Sequence, residues 1–424
     1  MLSRYLQLLR SNRNFRLLWA AQVVSELGDW FYSLAVYSLL LELTHDRAQS
    51  VALAVVLQVL PATFAAPAVG TVNDRLPRKQ VMIASDVARF FVVLGMLAVR
   101  TPGTVWLAYL LLFAETVGAS FFAPAQSAVV PNVVAPGDVL TANALGSITW
   151  SFCLTAGSAI GGVAAVLLGR DAVFVLNALS FLASAWLIRR MTFEEPHAAN
   201  CGNFRAPDLL NFAPLAEGAR YLRADKRRFA TLFVKCGIGI LGANNVLLPI
   251  LGQRVFPAPF AGVDAGRAGL LGMSLLMGAR GAGSLIGPVI AGKWVGDSHS
   301  RMGAGIVIGF LCAAAGYVLL GLSGTLALAA AMVVLGHAGL STNWVFSTTL
   351  LQFYTGDRFR GRVFAAENGL FMLTISASSY AAGAALDLGT PARLLAIALG
   401  AAMLAPAAAW GWAMVRTGVA AKGS

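Results

Sequence analysis

Charged residues are scarce in this 424-residue chain: Asp, Glu, Lys and Arg make up only 12% of it, whereas soluble globular proteins carry about 25%. Hydrophobic residues reach 58%, and the mean hydropathy is +0.73. Such a composition predicts a helical integral membrane protein. It argues against a nucleic-acid-binding protein, because the formal charge of +12 is not concentrated on any soluble domain.

Motifs for metal binding, nucleotide binding and catalysis are also missing. The cysteines are far apart, with no C-x-x-C or zinc spacing, and are predicted to be inert apolar residues. No P-loop is present, which excludes ATP-driven transport by this chain alone. There is no H-E-x-x-H, and the sequence at 296–300, GDSHS, lacks the second glycine of a nucleophile elbow. We therefore expect no enzyme, no metal and no cofactor. The four cysteines are Cys153, Cys201, Cys236 and Cys312.

Long apolar runs are what the chain has instead. Each run reaches the roughly 20 residues that a transmembrane helix needs, and twelve can be separated. They predict an all-α integral membrane fold of twelve transmembrane helices in two six-helix bundles related by pseudo-two-fold symmetry. The predicted bundles are residues 1–190 and 228–424, joined by a cytoplasmic linker at 191–227. The spans centre near residues 29, 60, 90, 116, 153, 180, 240, 281, 312, 338, 374 and 403.

The basic residues give the orientation. With the N-terminus inside, 22 of the 31 Lys and Arg residues fall on the cytoplasmic side, six outside and three within spans. This bias follows the positive-inside rule and predicts cytoplasmic N- and C-termini. The apolar run after the basic start is about 29 residues long, too long for a signal-peptide core, so it is interpreted as the first span.

The end of the linker is predicted to form a short interfacial helix. Leu215, Ala219 and Leu222 recur at helical spacing beside a cluster of basic residues, a pattern attracted to anionic membrane lipid. The alternative is an ordinary solvated connector.

A charged segment, GTVNDRLPRKQ at 70–80, follows the second span. Its pattern Gly70-x-x-x-Asp74-Arg75-x-x-Arg78-Lys79 resembles the loop motif of the major facilitator superfamily. The stretches FRLLWAAQVVSELGDWFYSLAV, FFAPAQSAVVPNVVAPGDVLTANAL and LQFYTGDRFRGRVFA resemble its drug and siderophore exporter branch, which includes macrolide efflux proteins and the enterobactin exporter. The resemblance extends over essentially the whole chain.

The resemblance implies a secondary active transporter that exports small amphipathic, macrolide-type molecules by alternating access. It also implies proton-coupled antiport by a monomer in the bacterial inner (plasma) membrane, with no nucleic acid among its partners. An exporter of siderophores or other anionic metabolites is the alternative. A lipid-flipping transporter and a non-transporting sensor are further alternatives.

The charged segment itself is expected to lock one conformation. Gly70 is expected to permit a tight helix exit, while Arg75, Arg78 and Lys79 keep the turn in the cytoplasm. The resemblance places Asp74 against the N-terminus of span 11, near residues 360–363. The alternative is a topology marker alone.

Charges inside the spans are costly and usually mark a pathway or an ion pair. They are expected in two tiers, one at mid-span and one about 10 Å from the inner end. The mid-span tier holds Asp29, Glu115, Arg280 and His337, with Glu26 one turn before Asp29. The inner tier holds Asp86, Arg89, Lys235 and Glu367.

Asp29 and Glu115 are expected to line a cavity between the halves and to carry the coupling proton, with Glu26 supporting Asp29. Arg280 either neutralises an acid or receives an anionic group of the substrate. Two ion pairs are expected, Asp86 with Arg89 within one helix and Lys235 with Glu367 between helices. His337 either packs in the core or lines the cavity.

Overall fold

The computed structural model describes residues 2–195, 217, 220–258, 264–295 and 298–417. These residues are almost entirely helical and contain no β-strand. Leu215 and Ala219 of the predicted interfacial helix lie outside the described residues, as does Cys201.

The first seven helices run from the N-terminus up to the linker, and the first of them is a short amphipathic segment. They are α1 (Leu2–Ser11), α2 (Arg13–Leu43), α3 (Ala48–Arg75), α4 (Arg78–Gly95), α5 (Val105–Val133), α6 (Val139–Leu168) and α7 (Arg170–Arg189).

The second set begins after the linker, and two of its membrane spans are each divided into two helices. The helices are α8 (Lys226–Ile240), α9 (Asn244–Arg254), α10 (Ala265–Val295), α11 (His299–Leu322), α12 (Leu326–Tyr354), α13 (Asp357–Asp387), α14 (Ala392–Ala402) and α15 (Leu404–Thr417).

Eleven segments among the described residues are long and apolar enough to cross a membrane. The twelfth span is α2, which has 31 residues and is therefore about 46 Å long, but carries Glu26 and Asp29 in its middle. Large apolar side chains on these helices are widely exposed, as lipid-facing surfaces require; Leu167 is 75% exposed and Phe91 65%. The predicted twelve-helix membrane fold is confirmed.

The chain folds as two compact units. Unit 1 comprises residues 1–46 and 57–211, and unit 2 comprises 47–56 and 212–424. The start of α3 therefore groups with unit 2, where the backbone N–H groups of Ala48 and Gln49 donate to the Asp387 carboxylate at 2.8 and 3.0 Å. The predicted boundaries at 190 and 228, and the pseudo-symmetry between bundles, stay predictions.

Unit 1 is organised around two helix groups. α2 packs along α6 and α7, and α4 packs between α5 and α7. At the end of the bundle near the N-terminus, Phe15 and Leu18 of α2 are buried with Phe122 and Val129 of α5. This packing brings the middle of α4 beside α2, α5 and α7, where the charged residues of unit 1 meet.

Unit 2 contains a close helix crossing between α11 and α12. A Cβ on Gly316 would lie 2.7 Å from the backbone nitrogen of Gly336, so only glycine permits this approach, as in other membrane helix pairs. The crossing places the neighbouring residues Tyr317 and His337 side by side.

The predicted helix exit at Gly70 is wrong. α3 continues through Arg75, and the chain leaves the helix only at Leu76 and Pro77 before α4 begins at Arg78. Gly70 has helical backbone geometry with open space around its Cβ position, so nothing here requires glycine. The physical reason is that charged residues are tolerated in the last turns of a span once they reach the interface.

The end of the linker docks on the start of α13 within unit 2. The Tyr221 ring stacks on Phe359 at 4.2 Å, and Leu222 is 1% exposed in a cluster with Val363. Glu217 forms an ion pair of 2.6 Å with Arg362. Attraction of the linker to anionic lipid stays a prediction.

Candidate functional site

A buried cation, Arg89 of α4, stands at the centre of a charge network in unit 1. Its Nε and Nη2 donate to Glu115 Oε1 of α5 at 2.9 and 2.6 Å. Its Nη2 also donates to Asp29 Oδ2 of α2 at 2.8 Å. The exposed fractions of the side chains are 5% for Arg89, 10% for Glu115 and 35% for Asp29. One guanidinium thus joins three helices, and only Asp29 is substantially accessible.

The surroundings hold the guanidinium in place. The Phe181 ring of α7 covers one face, with its centroid 3.9 Å from Arg89 Cζ, a cation–π arrangement. Gly118, three residues after Glu115, leaves room for the Arg89 side chain, since a Cβ there would lie 2.9 Å from Arg89 Cγ. The i, i+3 spacing puts the acid and the small residue on the same face of α5.

Asp86 belongs to the same network but is bonded differently. Its carboxylate is completely buried, and its Oδ1 lies 3.9 Å from Arg89 Nη1, too far for a hydrogen bond. Neither carboxylate oxygen has a hydrogen-bond partner among the described residues. The guanidinium therefore directs its hydrogen bonds to Asp29 and Glu115, on other helices.

A cavity of about 320 Å³ opens beside this network, within unit 1. Asp29 and Arg89 form part of its wall, so the cavity reaches the network directly. Glu26 lies one turn from Asp29; its Oε1 accepts a 2.9 Å hydrogen bond from Gln22, while its Oε2 and Asp29 Oδ1 have no partner among the described residues. The remaining wall includes Ser25, Trp30, Ser33, Ala119, Phe122, Ala123, Gln126 and Trp150.

The predicted division of the unit 1 charges into two tiers is wrong for Arg89. The sequence placed Arg89 near the inner end, yet it bonds both mid-span acids. α4 starts at Arg78, so Arg89 already lies three turns into the helix, and a long side chain adds further reach. Whether Asp29 and Glu115 face a cavity between the halves stays a prediction.

The basic residues of the charged motif tie helix ends together in unit 1. Arg78 donates to the carbonyl oxygens of Asn73 and Ala128 at 3.3 and 3.1 Å. Lys79 Nζ donates to the Met191 carbonyl at 2.6 Å. The backbone N–H of Arg78 donates to Glu195 at 2.7 Å. The Asn73 carbonyl and the Arg78 N–H are among the terminal groups that a helix otherwise leaves unpaired.

The remaining residues of the motif, Gly70, Asp74 and Arg75, lie in the last turns of α3. The side chain of Arg360, in the segment predicted to face Asp74, is outside what the structure describes. The locking role of Asp74 stays a prediction.

Unit 2 contains a second buried ion pair, between Lys235 of α8 and Glu367 of α13. Lys235 Nζ lies 2.7 Å from Glu367 Oε2, and the two side chains are 6% and 1% exposed. The ammonium also lies 4.1 Å from the centroid of the Trp344 ring of α12. Three helices therefore meet at this pair. Each of the two buried charges is neutralised by the other.

We expect single substitutions in this pair to be costly. Lys235→Met and Glu367→Gln should each lower the free energy of unfolding by ~3–5 kcal/mol, because each leaves one buried charge unpaired. The double variant should recover much of this loss. Thermal unfolding of the detergent-solubilised protein measures the effect.

The control is the exposed pair Arg100–Asp171, at 2.8 Å with side chains 56% and 52% exposed. Breaking it should cost less than ~1 kcal/mol. Equal losses at the two pairs would contradict the assignment of a strong, buried interaction.

The other intramembrane charges of unit 2 are separate from this pair. Arg280 of α10 donates to Asn245 Oδ1 of α9 at 2.6 Å. His337 is 4% exposed, and its Nε2 lies 2.9 Å from the Tyr317 hydroxyl across the α11–α12 crossing. This placement favours a packed histidine over one that lines a cavity.

Several participants were not singled out from the sequence. Each has a polar or aromatic side chain within an apolar run. Trp30 directly follows Asp29, Asn177 of α7 lies beside Asp29, and Ser184 of α7 lies beside Asp86. Aromatic residues are common in membrane spans, so only their position in the fold distinguishes them. The missed residues are Gln22, Trp30, Gln126, Trp150, Asn177, Phe181, Ser184, Asn245 and Trp344.

Metal binding is not supported by the geometry of the described residues. No group of three or more His, Cys, Asp or Glu side chains in these segments is arranged to hold a metal ion.

Comparison with known proteins identifies the family. The model of the Major Facilitator Superfamily matches residues 18–379, which cover most of both units and include both charge clusters. The chain belongs to the Major Facilitator Superfamily.

Relatives within the superfamily are transporters by name. The uncharacterized MFS-type transporter YfiS of Bacillus subtilis (strain 168) is 25% identical over 70% of this chain and 73% of that protein. The putative bacilysin exporter BacE of the same organism is 24% identical over 77% of each chain. Macrolide efflux protein A of Streptococcus pyogenes is 34% identical over 30% of this chain and 31% of that protein.

Solved structures show the same superfamily fold. A POT family transporter in complex with 5-aminolevulinic acid has a TM-score of 0.74, with 13% identity over 97% of both chains. A bacterial homologue of the iron transporter ferroportin in the inward-facing state has a TM-score of 0.66, with 17% identity over 97% of this chain and 99% of that chain. At these identities the likeness concerns the fold. The superfamily match, the relatives named as transporters and the eleven membrane-length helices among the described residues together show a multi-pass membrane transporter.

Proposed function

We propose that this transporter exports small amphipathic molecules that carry a basic nitrogen, by alternating access and in exchange for protons. The observation that carries the proposal is the unit 1 cavity, in which the Glu26 and Asp29 carboxyl groups share a wall with the Trp30 and Trp150 rings. An acid beside aromatic rings is suited to a cation with apolar substituents, because ring faces attract positive charge.

The size and polarity of the cavity fit this class of substrate. Its volume of about 320 Å³ lies at the lower end of the range for small-molecule sites, enough for the amine-bearing part of a larger molecule. Trp30 and Trp150 meet edge to face, with centroids 6.1 Å apart. Gln22 and Gln126 supply the few polar groups that such sites use for orientation.

Proton coupling is supported by the position of Asp29. Its carboxylate belongs both to the cavity wall and to the Arg89 network. A proton and a substrate cation would therefore compete for one acid, which is the requirement of an antiporter. Glu115 shares the same guanidinium and is proposed to bind protons with Asp29.

The finer assignments of location and class also belong to the proposal. Relatives named for macrolide efflux and bacilysin export support export. We place the protein in a bacterial inner membrane as a monomer, with both termini in the cytoplasm and the basic linker near anionic lipid. The orientation and the position of the linker rest on the charge distribution along the chain, and the bacterial membrane rests on the bacterial relatives.

Uptake into inverted membrane vesicles tests the proposal. Vesicles containing the protein should accumulate a radiolabelled macrolide with a dimethylamino group when the vesicle lumen is made more acidic than the medium. An uncoupler should abolish the accumulation. Vesicles without the protein are the control. Accumulation of an anionic siderophore in place of the macrolide would contradict the proposed substrate class and support the alternative. Uptake that ignores the gradient would contradict the coupling.

Asp74→Asn tests the conformational lock. We expect transport several-fold slower than in the parent protein, because a carboxylate at a helix N-terminus contributes ~0.3–2 kcal/mol; membrane insertion should be unchanged. Asp138→Asn, at a partly exposed acid paired with Arg4 at 3.7 Å, is the matched control. Initial uptake rates at equal protein amounts are the measurement, and an unchanged rate in Asp74→Asn would refute the lock.

A further inference from the structure

We propose that Asp86 is a second proton-binding residue, and that Arg89 exchanges between Asp29 and Asp86 during transport. When a proton or a substrate cation neutralises Asp29, Arg89 turns to Asp86, which then releases its proton. This inference deepens the proposed function and rests on it for the role of Asp29 in the cavity.

The first argument is the bonding of Asp86. It is 0% exposed, and neither of its oxygens accepts a hydrogen bond from a described residue. An ionised carboxylate in such a place costs far more than a neutral carboxyl group, because the charge loses its water and gains little in return. The buried Ser184 hydroxyl of α7 is the polar group that faces Asp86, but the two side chains do not reach a hydrogen bond of standard geometry. A protonated Asp86 would give this hydroxyl a donor.

The second argument is the balance of charge. Asp29, Asp86 and Glu115 surround one guanidinium, so three ionised acids would leave a net charge of −2 in a site where Arg89 is 5% exposed. The Nε and Nη2 atoms of the guanidinium already donate hydrogen bonds to Glu115 and Asp29. Asp86, which receives no hydrogen bond from it, is therefore the acid that holds the proton in this arrangement.

The third argument is the short distance that the exchange requires. Arg89 Nη1 lies 3.9 Å from Asp86 Oδ1, and a hydrogen bond needs about 2.8 Å. A small rotation of the guanidinium about its side chain closes this gap once Asp29 no longer attracts Nη2. The Phe181 ring covers a face of the guanidinium and permits rotation in its plane.

The groups that face this switch come from every helix packed around it. They are Asp29 and Tyr32 of α2, Asp86 on α4 itself, Glu115 of α5, and Phe181 and Ser184 of α7. In the proposed step the O–H bond of Asp86 breaks, the proton passes to water, and the carboxylate so formed pairs with Arg89. The charge of the cluster is conserved, since the cation that neutralises Asp29 replaces the proton that leaves.

Infrared difference spectroscopy of the purified protein in lipid nanodiscs tests the site without any substrate. A buried protonated carboxyl group gives a C=O stretching band that shifts in heavy water. We expect this band near neutral pH in the parent protein and its loss in Asp86→Asn. The band should persist in Asp171→Asn, a matched substitution at an acid that is 52% exposed. A band that survives in Asp86→Asn but disappears in Asp29→Asn would overturn the proposal, because the proton would then reside on Asp29.

Stability provides a check on the same variant. Asn has the shape of a neutral Asp, so Asp86→Asn should keep the melting temperature of the parent protein. A strong loss of stability would mean that Asp86 is an ionised partner of Arg89, and would also overturn the proposal.

A proton-release measurement tests the exchange. Tetraphenylphosphonium, a lipophilic cation with no proton of its own, is added to weakly buffered protein with a pH indicator. The parent protein should release protons on binding, and Asp86→Asn should bind the cation without this release. Undiminished release from Asp86→Asn would refute the exchange. Failure of macrolide uptake in vesicles would instead refute the proposed function, and would leave the infrared assignment of Asp86 standing.

Discussion

Asp29→Asn is expected to abolish pH-gradient-driven uptake of a macrolide into inverted vesicles, while exchange at equal pH on both sides continues. The Asp29 carboxyl group is 35% exposed, lines the cavity and bonds Arg89 at 2.8 Å. An amide cannot bind or release a proton, so the link between gradient and substrate is cut. Glu26, Trp30 and Trp150 remain to hold the substrate during exchange.

The two assays separate the possible roles of this residue. Asp171→Asn, at an exposed acid in the same unit, is the matched control and should behave like the parent protein. Gradient-driven accumulation by Asp29→Asn would show that the coupling site lies elsewhere. Loss of both activities in a folded variant would assign Asp29 to substrate binding.

Arg89→Met is expected to be strongly destabilising. It leaves Asp29, Asp86 and Glu115 around a site without its cation, and removing one partner of a buried pair costs ~3–5 kcal/mol. Arg89→Lys should recover part of this loss, since Lys restores the charge but not the paired N–H donors that reach Glu115. Thermal unfolding in detergent is the measurement.

The loss of stability caused by Arg89→Met is expected to depend on pH. The deficit of Arg89→Met should shrink as the pH falls, because a protonated carboxyl group carries no charge that needs the guanidinium. Arg100→Met removes an arginine that is 56% exposed, and its cost should be less than ~1 kcal/mol. A deficit for Arg89→Met that does not depend on pH would indicate lost packing against Phe181 as its cause.

Most of the charged residues of the site can be predicted from the sequence. Asp29, Glu115, Asp86 and Arg89 stand out as charges in apolar runs, because insertion of a charge is costly anywhere along a span. Lys235 and Glu367 were predicted as a pair from their similar depth, and their atoms lie 2.7 Å apart.

The hydrogen-bond partners of Arg89 could not be predicted from the sequence. The spacing of Asp86 and Arg89 favoured a pair within α4, yet the hydrogen bonds of Arg89 go to residues 60 and 26 positions away. The predicted pair within α4 is present, with Asp86 Oδ1 and Arg89 Nη1 3.9 Å apart, but the shorter, hydrogen-bonded contacts go to two acids on other helices. At Gly70 the predicted helix exit is replaced by five more helical residues, so that α3 ends at Arg75.

The class of protein and the number of spans follow from the sequence alone, and so does the resemblance to a transporter superfamily. Hydrophobic length and motif spacing are properties of position along the chain, so they can be read without a fold. Three features appear only in the folded chain. Arg89 joins α2 to α5, Asp86 receives no hydrogen bond of standard geometry from any described residue, and two tryptophans lie beside two acids. These features depend on how each helix is rotated about its axis and packed against its neighbours. That rotation is set by the packing of all the helices together, which no single segment encodes.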